Sequence, residues 1–570
     1  MTVALLPYKS EFLRAITDMG SNGIRFSISS LQPPTQRVMP TLYQHRVGIS
    51  LYDAQYTPSG ERVPIDEKTI AAVVIAYKQF KRTCMDYGVP SENVTVLATE
   101  ATRTALNSAE FRQRIKDEVG WTVTMLSKEE EGRVGALGVA SSLPEVSGLV
   151  MDLGGGSTQL SWLIKGTTKD DVQMPDNGSV SMPYGAAALS RRLAEAERNG
   201  TVAELQHEIK QALTAAYSAL KVPTELEARA AKDGGVTLYL SGGGFRGWGY
   251  VLMSRNRIDP YPIPVINGYR ASRRDFVGIE EVKAAAADSL SDEEESIFRV
   301  SDRRAGQVPA VALLVNVLAE VLPQVKEVRF CQGGVREGYL FASLPNEIRA
   351  QHPLVVATQP FDLNGKSEVL ASLLESSLPA GSTENATDDY KSVLTTDLFD
   401  TMANMMYYHS SHSKELQATA ALRSTTSGVL AGIHGVLHES RTLIALLLCA
   451  RWGGNVPPND EKFKQSLEKL VPSSWTLWWV NYIGAVAALI GSVFPAGFVA
   501  EEPKRLALRA IWNADEKQRP VLTLLVSLPK EIDRALFDAE AKDIEKVGKR
   551  KRWIGGRDGA GHRVAVEFVD

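Results

Sequence analysis

Cysteine is scarce in this chain. Only Cys84, Cys331 and Cys449 occur among 570 residues, far apart and never as a Cys-x-x-Cys pair. That pattern argues against a disulfide framework or a structural zinc site and fits a reducing compartment. A charge excess is missing as well: 63 Lys and Arg face 67 Asp and Glu, for a net charge of −4. Coating DNA or RNA needs a strong basic excess, so no nucleic acid partner is expected. The first residues mix charges into their apolar positions and hold no continuous apolar stretch before a small-residue cleavage site. We therefore expect no signal peptide and a cytoplasmic location. Long apolar runs are rare too, with one exception. Residues 475–500 are uncharged throughout and long enough to span a bilayer. Asn481, several glycines and Pro495 interrupt the run, so it reads as a buried helix ended near Pro495, and no membrane is expected.

What is present is the composition of a folded protein, 44% hydrophobic and 23% charged, in a length that implies about three or four domains. Residues 13–30 read as a strand from Leu13 to Thr17, a tight turn over Asp18-Met19-Gly20-Ser21-Asn22-Gly23, and a strand from Ile24 to Ser29. Ile65 to Gly88 has helical periodicity and a glycine stop. Val94 to Ala98 reads as a strand followed by a polar turn and a helix from near Thr104. Val123 to Leu126 reads as a strand leading into an acidic helix start at Ser127-Lys128-Glu129-Glu130-Glu131. The pattern then restarts. A strand at Leu149-Val150-Met151 runs into Asp152-Leu153-Gly154-Gly155-Gly156-Ser157-Thr158 and a second strand, Gln159 to Ile164. Asp-x-Gly before a small-residue turn thus occurs twice, which an internal duplication explains most simply, with two halves facing each other across a cleft.

Two further glycine runs follow strands: Ser241-Gly242-Gly243-Gly244-Phe245-Arg246 after Thr237 to Leu240, and Gln332-Gly333-Gly334-Val335-Arg336-Glu337-Gly338 after Val328 to Cys331. Residues 376–391 read as an exposed loop. From Leu398 to about Asn513 the chain reads as helical. Its end reads as strand (Val521 to Leu528), helix (Lys530 to Lys546) and strand (Arg563 to Phe568).

A Gly/Ser turn between two strands can aim several backbone N–H groups into one concavity, a nest that binds phosphate oxygens. An aspartate at the strand end can hold a hydrated Mg²⁺ that bridges phosphates. Two such turns followed by two glycine runs point to a polyphosphate or nucleotide ligand with a divalent cation.

The order of these motifs resembles the exopolyphosphatase/guanosine-pentaphosphatase (Ppx/GppA) family of the actin–hexokinase–Hsp70 superfamily. Asp18 to Asn22, Ala101-Thr102-Arg103-Thr104-Ala105-Leu106-Asn107, Ser127 to Arg133, Asp152 to Thr158 and Arg336 to Gly338 carry the likeness over roughly the first 345 residues. The resemblance implies an α/β fold, a duplicated actin-like (ribonuclease H-like) core of two lobes, residues 1–137 and 138–345. After it would come an α-helical HD-like domain, 346–515, degenerate and without a metal site, and a small α/β appendage, 516–570. It implies that Asp18 and Asp152 position Mg²⁺. Gly20, Ser21, Asn22, Gly154, Gly155, Gly156, Ser157 and Thr158 would bind phosphates, with Gly243 and Gly244 at the third glycine run. Glu131 would orient or deprotonate a water, and Arg103 would neutralise developing phosphate charge. On composition alone, Glu130 and Glu131 are ordinary helix-start acids.

The whole chain, including Leu446 to Gly454, looks most like a fungal regulatory branch of that family. This implies a regulator of mitochondria-to-nucleus signalling that acts on a regulatory protein partner, the partner being a negative regulator of that pathway, and is compatible with a homodimer. The alternative is an active Mg²⁺-dependent phosphohydrolase using Glu131. Three departures from the family pattern favour the regulator: Gln159 where Glu is usual, Gly23 where Ser is usual, and Phe245 where Thr is frequent. Phe245 and Arg246 could stack a nucleotide base, or Phe245 could be plain core. His434 and His438, spaced i, i+4, could share a helical face as metal ligands; no His-Asp dipeptide occurs, and buried or solvated roles are expected instead. The Lys549-Arg550-Lys551-Arg552 tetrad reads as a solvated helix end, with a nuclear signal or an anion site as its alternatives.

Overall fold

The computed structural model describes all residues except 1–7, 58–59, 167–171, 293–295, 364, 381–389, 500–504 and 570. The expected loop at 376–391 lies mostly among these. Strands β1 (Leu13–Gly20), β2 (Gly23–Ser30), β3 (Thr41–Val47), β4 (Val94–Ala98) and β5 (Val123–Met125) form one sheet in the order β3-β2-β1-β4-β5. The hairpin β1/β2 is antiparallel, with Gly20 opposite Gly23 at its turn, while β4 joins β1 in parallel. Six of the eight residues of β1 are buried, as a strand covered on both faces requires. The Glu67–Asp86 helix covers one face with Ile70, Val73, Val74, Tyr77 and Phe80. Asp66 caps it, its Oδ1 accepting from Thr69 N–H at 2.8 Å.

The second sheet repeats this plan. Strands β6 (Val146–Leu153), β7 (Thr158–Lys165), β8 (Val180–Met182), β9 (Val236–Ser241), β10 (Arg270–Ser272) and β11 (Val325–Phe330) lie in the order β10-β11-β9-β6-β7-β8. Three antiparallel strands followed by two parallel ones appear in both sheets; only β10 is extra. The duplicated two-lobe actin-like architecture is therefore present in the strand order itself. The Lys128–Ser141 and Val335–Ala342 helices cross where the lobes join, and their backbones touch. A β-carbon at Gly338 would lie 1.8 Å from Val134 O, and one at Gly138 2.4 Å from Gly334 O.

The remainder is a helical domain finished by a small sheet. Its Ser474–Val493 helix has the length and composition of a membrane span. Here Trp478, Trp479, Tyr482, Ile483, Val486, Leu489 and Ile490 are fully buried, packed with Ile444, Leu447 and Leu448 in one core. Four sequence expectations are corrected. The chain is not helical to Asn513, because Ala507–Ala514 is a strand, β12, with Leu508 and Ala510 turned inward at period two. It pairs with β13 (Pro520–Ser527), which pairs with β14 (Arg563–Val569). The boundary at 515/516 thus cuts a hairpin, and Leu522, Leu524 and Val526 share the core of the helices. The segment after β4 begins with a short helix, Glu100–Thr104, rather than a turn before Thr104. His434 and His438 share no helical face, because the helix starts at His438. His434 Nε2 lies 2.8 Å from Ser141 Oγ, and His438 bonds Tyr261 OH and Val265 O.

Candidate functional site

The turns after Asp18 and Asp152 meet. They line one cleft of about 1020 Å³ between the lobes. A β-carbon at Gly155 would fall 2.6 Å from the Asn22 side chain, so the two turns approach each other closely and a larger residue would displace Asn22. Each turn is held from behind. Tyr52 N–H donates to Ser21 O at 2.9 Å and Arg46 Nη2 to Asn22 O at 2.7 Å. The carbonyls of Gly154, Gly155 and Gly156 accept from backbone N–H groups of Gly185 to Ala188, where the Ala186–Asn199 helix begins. Across a trans peptide C=O and N–H point in opposite directions. The amides of Gly155, Gly156 and Ser157 therefore face away from that helix, the arrangement an anion nest needs.

Of the residues singled out in the sequence, Asp18, Gly20, Ser21, Asn22, Glu131, Asp152, Gly154, Gly155, Ser157, Gly243 and Gly244 line the cleft. Arg103, Gly156 and Thr158 do not line it. Thr158 Oγ1 is spent on Asp152 O at 2.7 Å inside the hairpin, and Gly156 backs onto the Glu100 carboxylate. Arg103 Nη2 bonds Glu131 Oε2 at 3.0 Å and its Nη1 bonds Leu126 O. It thus holds the glutamate in place from behind the cleft wall. The third glycine run is likewise a helix start, Gly242–Ser254, not a loose turn. Phe245 is fully buried in the core of the second lobe, which removes it as a base-stacking platform.

The three acids of the site sit in different surroundings. Burial pushes Asp18 and Asp152 above the usual carboxylate range. Arg25, 3.8 Å from Asp18, opposes this for Asp18, and the Ser241 hydroxyl, donating at 2.6 Å, opposes it for Asp152. Glu131 is pushed up to about 7 by burial, against the pull of Arg103. Glu130 plays another part: its Oε2 accepts from Ser127 N–H at 2.8 Å while its own N–H donates to Ser127 Oγ at 3.1 Å. That capping box occupies Glu130 with the helix start and leaves Glu131, one residue on, to face the cleft.

The departures also acquire reasons. Gly23 has φ +152°, and a β-carbon there would lie 3.0 Å from Arg46 Nε and from Val47 O, so a serine would be strained and would crowd Arg46. Gln159, opposite Asp152 in the hairpin register, donates from Nε2 to Ser157 Oγ at 2.8 Å. It steadies the nest without adding a negative charge.

Sequence reasoning singled out Arg246, and Arg336 within a motif, but missed the other cations. Arg25, Arg46, Arg246, Arg299, Arg303, Arg304 and Arg336 all line the cleft, against the carboxylates of Asp18, Glu131 and Asp152. Burial and neighbouring arginines depress Arg46 and Arg304 and bring Arg246 down to about 10, the mark of cations crowded together with too few anions. These arginines come from β2, β3, the Gly242–Ser254 helix, the 299–304 segment and the Val335–Ala342 helix. The Arg-rich segment 299–304 was a local signal that could have exposed three of them.

Residues 31–347 match the model of the Ppx/GppA phosphatase family and residues 352–570 that of the RTG2 C-terminal domain. Retrograde regulation protein 2 of Saccharomyces cerevisiae is 41% identical over 502 residues, 86% of this chain and 82% of that protein. A guanosine-5'-triphosphate,3'-diphosphate pyrophosphatase of Pseudoalteromonas atlantica is 28% identical over 152 residues, 26% of this chain and 28% of that protein. A solved structure of the Aquifex aeolicus Ppx/GppA enzyme aligns over 58% of this chain and 99% of its own, with 25% identity and a TM-score of 0.43. The chain belongs to the Ppx/GppA phosphatase family.

Proposed function

We propose that this chain is a nucleotide- or polyphosphate-binding regulator that holds its ligand between the two hairpins and acts in mitochondria-to-nucleus retrograde signalling. The observation that carries the binding half is the cleft itself: seven arginines and two backbone nests converge where only three carboxylates stand, so a multiply charged anion is the complement that fits. The name and long overlap of the yeast relative support the signalling half. On this reading the protein works in the cytoplasm on a regulatory protein partner.

Mg²⁺ suits the donor set. Asp18 and Asp152 offer hard oxygen donors whose carboxyl groups burial holds above their ordinary range, and Mg²⁺ sites are commonly one or two carboxylates completed by phosphates and water. When bound, the ion would neutralise phosphate charge beside these two carboxylates. The chain's own part is to cradle the phosphates with the turn amides, oppose their charge with Arg25, Arg246 and Arg336, and keep Glu131 fixed by Arg103.

A second reading, hydrolysis, has one observation in its favour: Glu131 titrates near neutrality, where a general base is most useful. Gln159 weakens it. Calorimetry with tripolyphosphate, ATP, GTP and guanosine tetraphosphate in Mg²⁺ separates the two when joined to a phosphate-release assay. The regulator reading expects saturable binding of at least one of them without turnover. Turnover abolished by Glu131→Ala would replace it with the enzyme reading, and absence of any binding would refute both.

A further inference from the structure

We infer that Asp53 latches the two lobes together at the mouth of the cleft. Asp53 opens the 3-10 turn Asp53–Gln55 in the first lobe, and both of its carboxylate oxygens reach across to the second. Oδ2 lies 3.1 Å from Arg303 Nη2, and Oδ1 lies 3.7 Å from Arg191 Nη2. The two arginines come from separate elements, the Asp302–Ala305 helix and the Ala186–Asn199 helix. Arg303 Nη2 also donates to Asn22 Oδ1 at 2.8 Å and reaches Ser50 Oγ at 3.4 Å. The Arg191 guanidinium lies over the rings of Tyr56, at 4.4 Å, and Tyr52, at 5.2 Å. Three kinds of contact thus cross the same gap: ion pair, hydrogen bond and cation–π.

The first-lobe side of the latch is rigidly backed. Gln55 is buried and donates from Nε2 to Leu51 O at 2.7 Å and Ala101 O at 2.9 Å. The loop is tied to the first phosphate turn by Tyr52 N–H on Ser21 O. Asp53 therefore does not merely decorate a loop; separating the lobes must break its bonds or carry the turn along. Arg303 and Asn22 line the cleft, whereas Asp53 and Arg191 do not. Arg303 therefore joins the latch to the cleft wall.

Each exposed ion pair is weak alone, but the pairs and the stacked guanidinium together suffice to bias opening by about tenfold. The test needs no ligand and so stands apart from the binding proposal. In the ligand-free full-length protein, Asp53→Asn and Arg191→Gln should each enlarge the radius of gyration in small-angle scattering. Each should also speed hydrogen exchange of the 20–23 and 154–157 amides by about tenfold. Unchanged scattering and exchange in both variants would overturn the latch. A change in Asp53→Asn alone would also overturn it, since Asp53 would then serve only its own loop.

Discussion

Glu130 and Glu131 are neighbours of the same type at one helix start, and their surroundings give them opposite tasks. The capping box consumes Glu130, while Glu131 is buried beside the cleft with one cation, Arg103, for company. Because its folded pKa of about 7 lies above that of an exposed glutamate, the native state holds the proton over a pH range in which the unfolded chain has lost it. The native state is thus favoured at low pH, and this contribution is lost as pH rises from about 4.5 to about 7. Glu131→Gln, which cannot ionise, should therefore be more stable than wild type at pH 8, by up to about 3 kcal/mol. The gap should close below about pH 4.5, as urea melts at several pH values would register. A variant less stable at pH 8 would mean that Arg103 outweighs burial. At this scale the sequence showed the nest residues and the acids, since each belongs to a continuous motif. Arg246 and Arg336 were visible inside glycine-run motifs, whereas the other cleft arginines were hidden because they read individually as surface charge.

Among elements, the helix pair at the lobe junction is the most exacting. The Lys128–Ser141 helix carries Glu131 in its first turn and, at its far end, Ser141 bonded to His434 of the C-terminal domain. It meets the Val335–Ala342 helix backbone to backbone. Gly338→Ala would drive a methyl group into Val134 O, 1.8 Å from the new β-carbon. The better helix propensity of alanine, about 1 kcal/mol, cannot offset that clash, and a net loss of roughly 2 kcal/mol is expected. Gly135→Ala, on the same Lys128–Ser141 helix but with nothing within 4 Å of its β-carbon, should be neutral or stabilising. Denaturant midpoints of the two variants test the joint directly, and equal shifts would contradict it. The helices themselves were legible from caps and periodicity. Their contact was not, because glycines that bring backbones together leave no apolar stripe to read. The strand Ala507–Ala514 was missed for a related reason: its inward Leu508 and Ala510 continue an Ala/Leu-rich stretch and look helical until the alternation with Arg509 is counted.

Over the whole molecule, a net charge of −4 coexists with a cleft lined by seven arginines. Overall charge therefore says little about the ligand, and the distribution of charge decides it. The duplicated architecture could be read because Asp-x-Gly turns mark the same place in each half. The C-terminal domain could not be divided correctly, because its helices and its three-stranded sheet bury their apolar faces in one shared core. That domain also leans on the second lobe, with Glu439 within ion-pair distance of Arg270 and Arg329.

The central claim is that both hairpin turns grip one anion, and amide hydrogen exchange with and without Mg²⁺ and tripolyphosphate tests it most directly. The account predicts simultaneous slowing at residues 20–23 and 154–158, reversed when the tripolyphosphate is removed. Slowing at one turn alone, or only at sites outside the cleft, would contradict it.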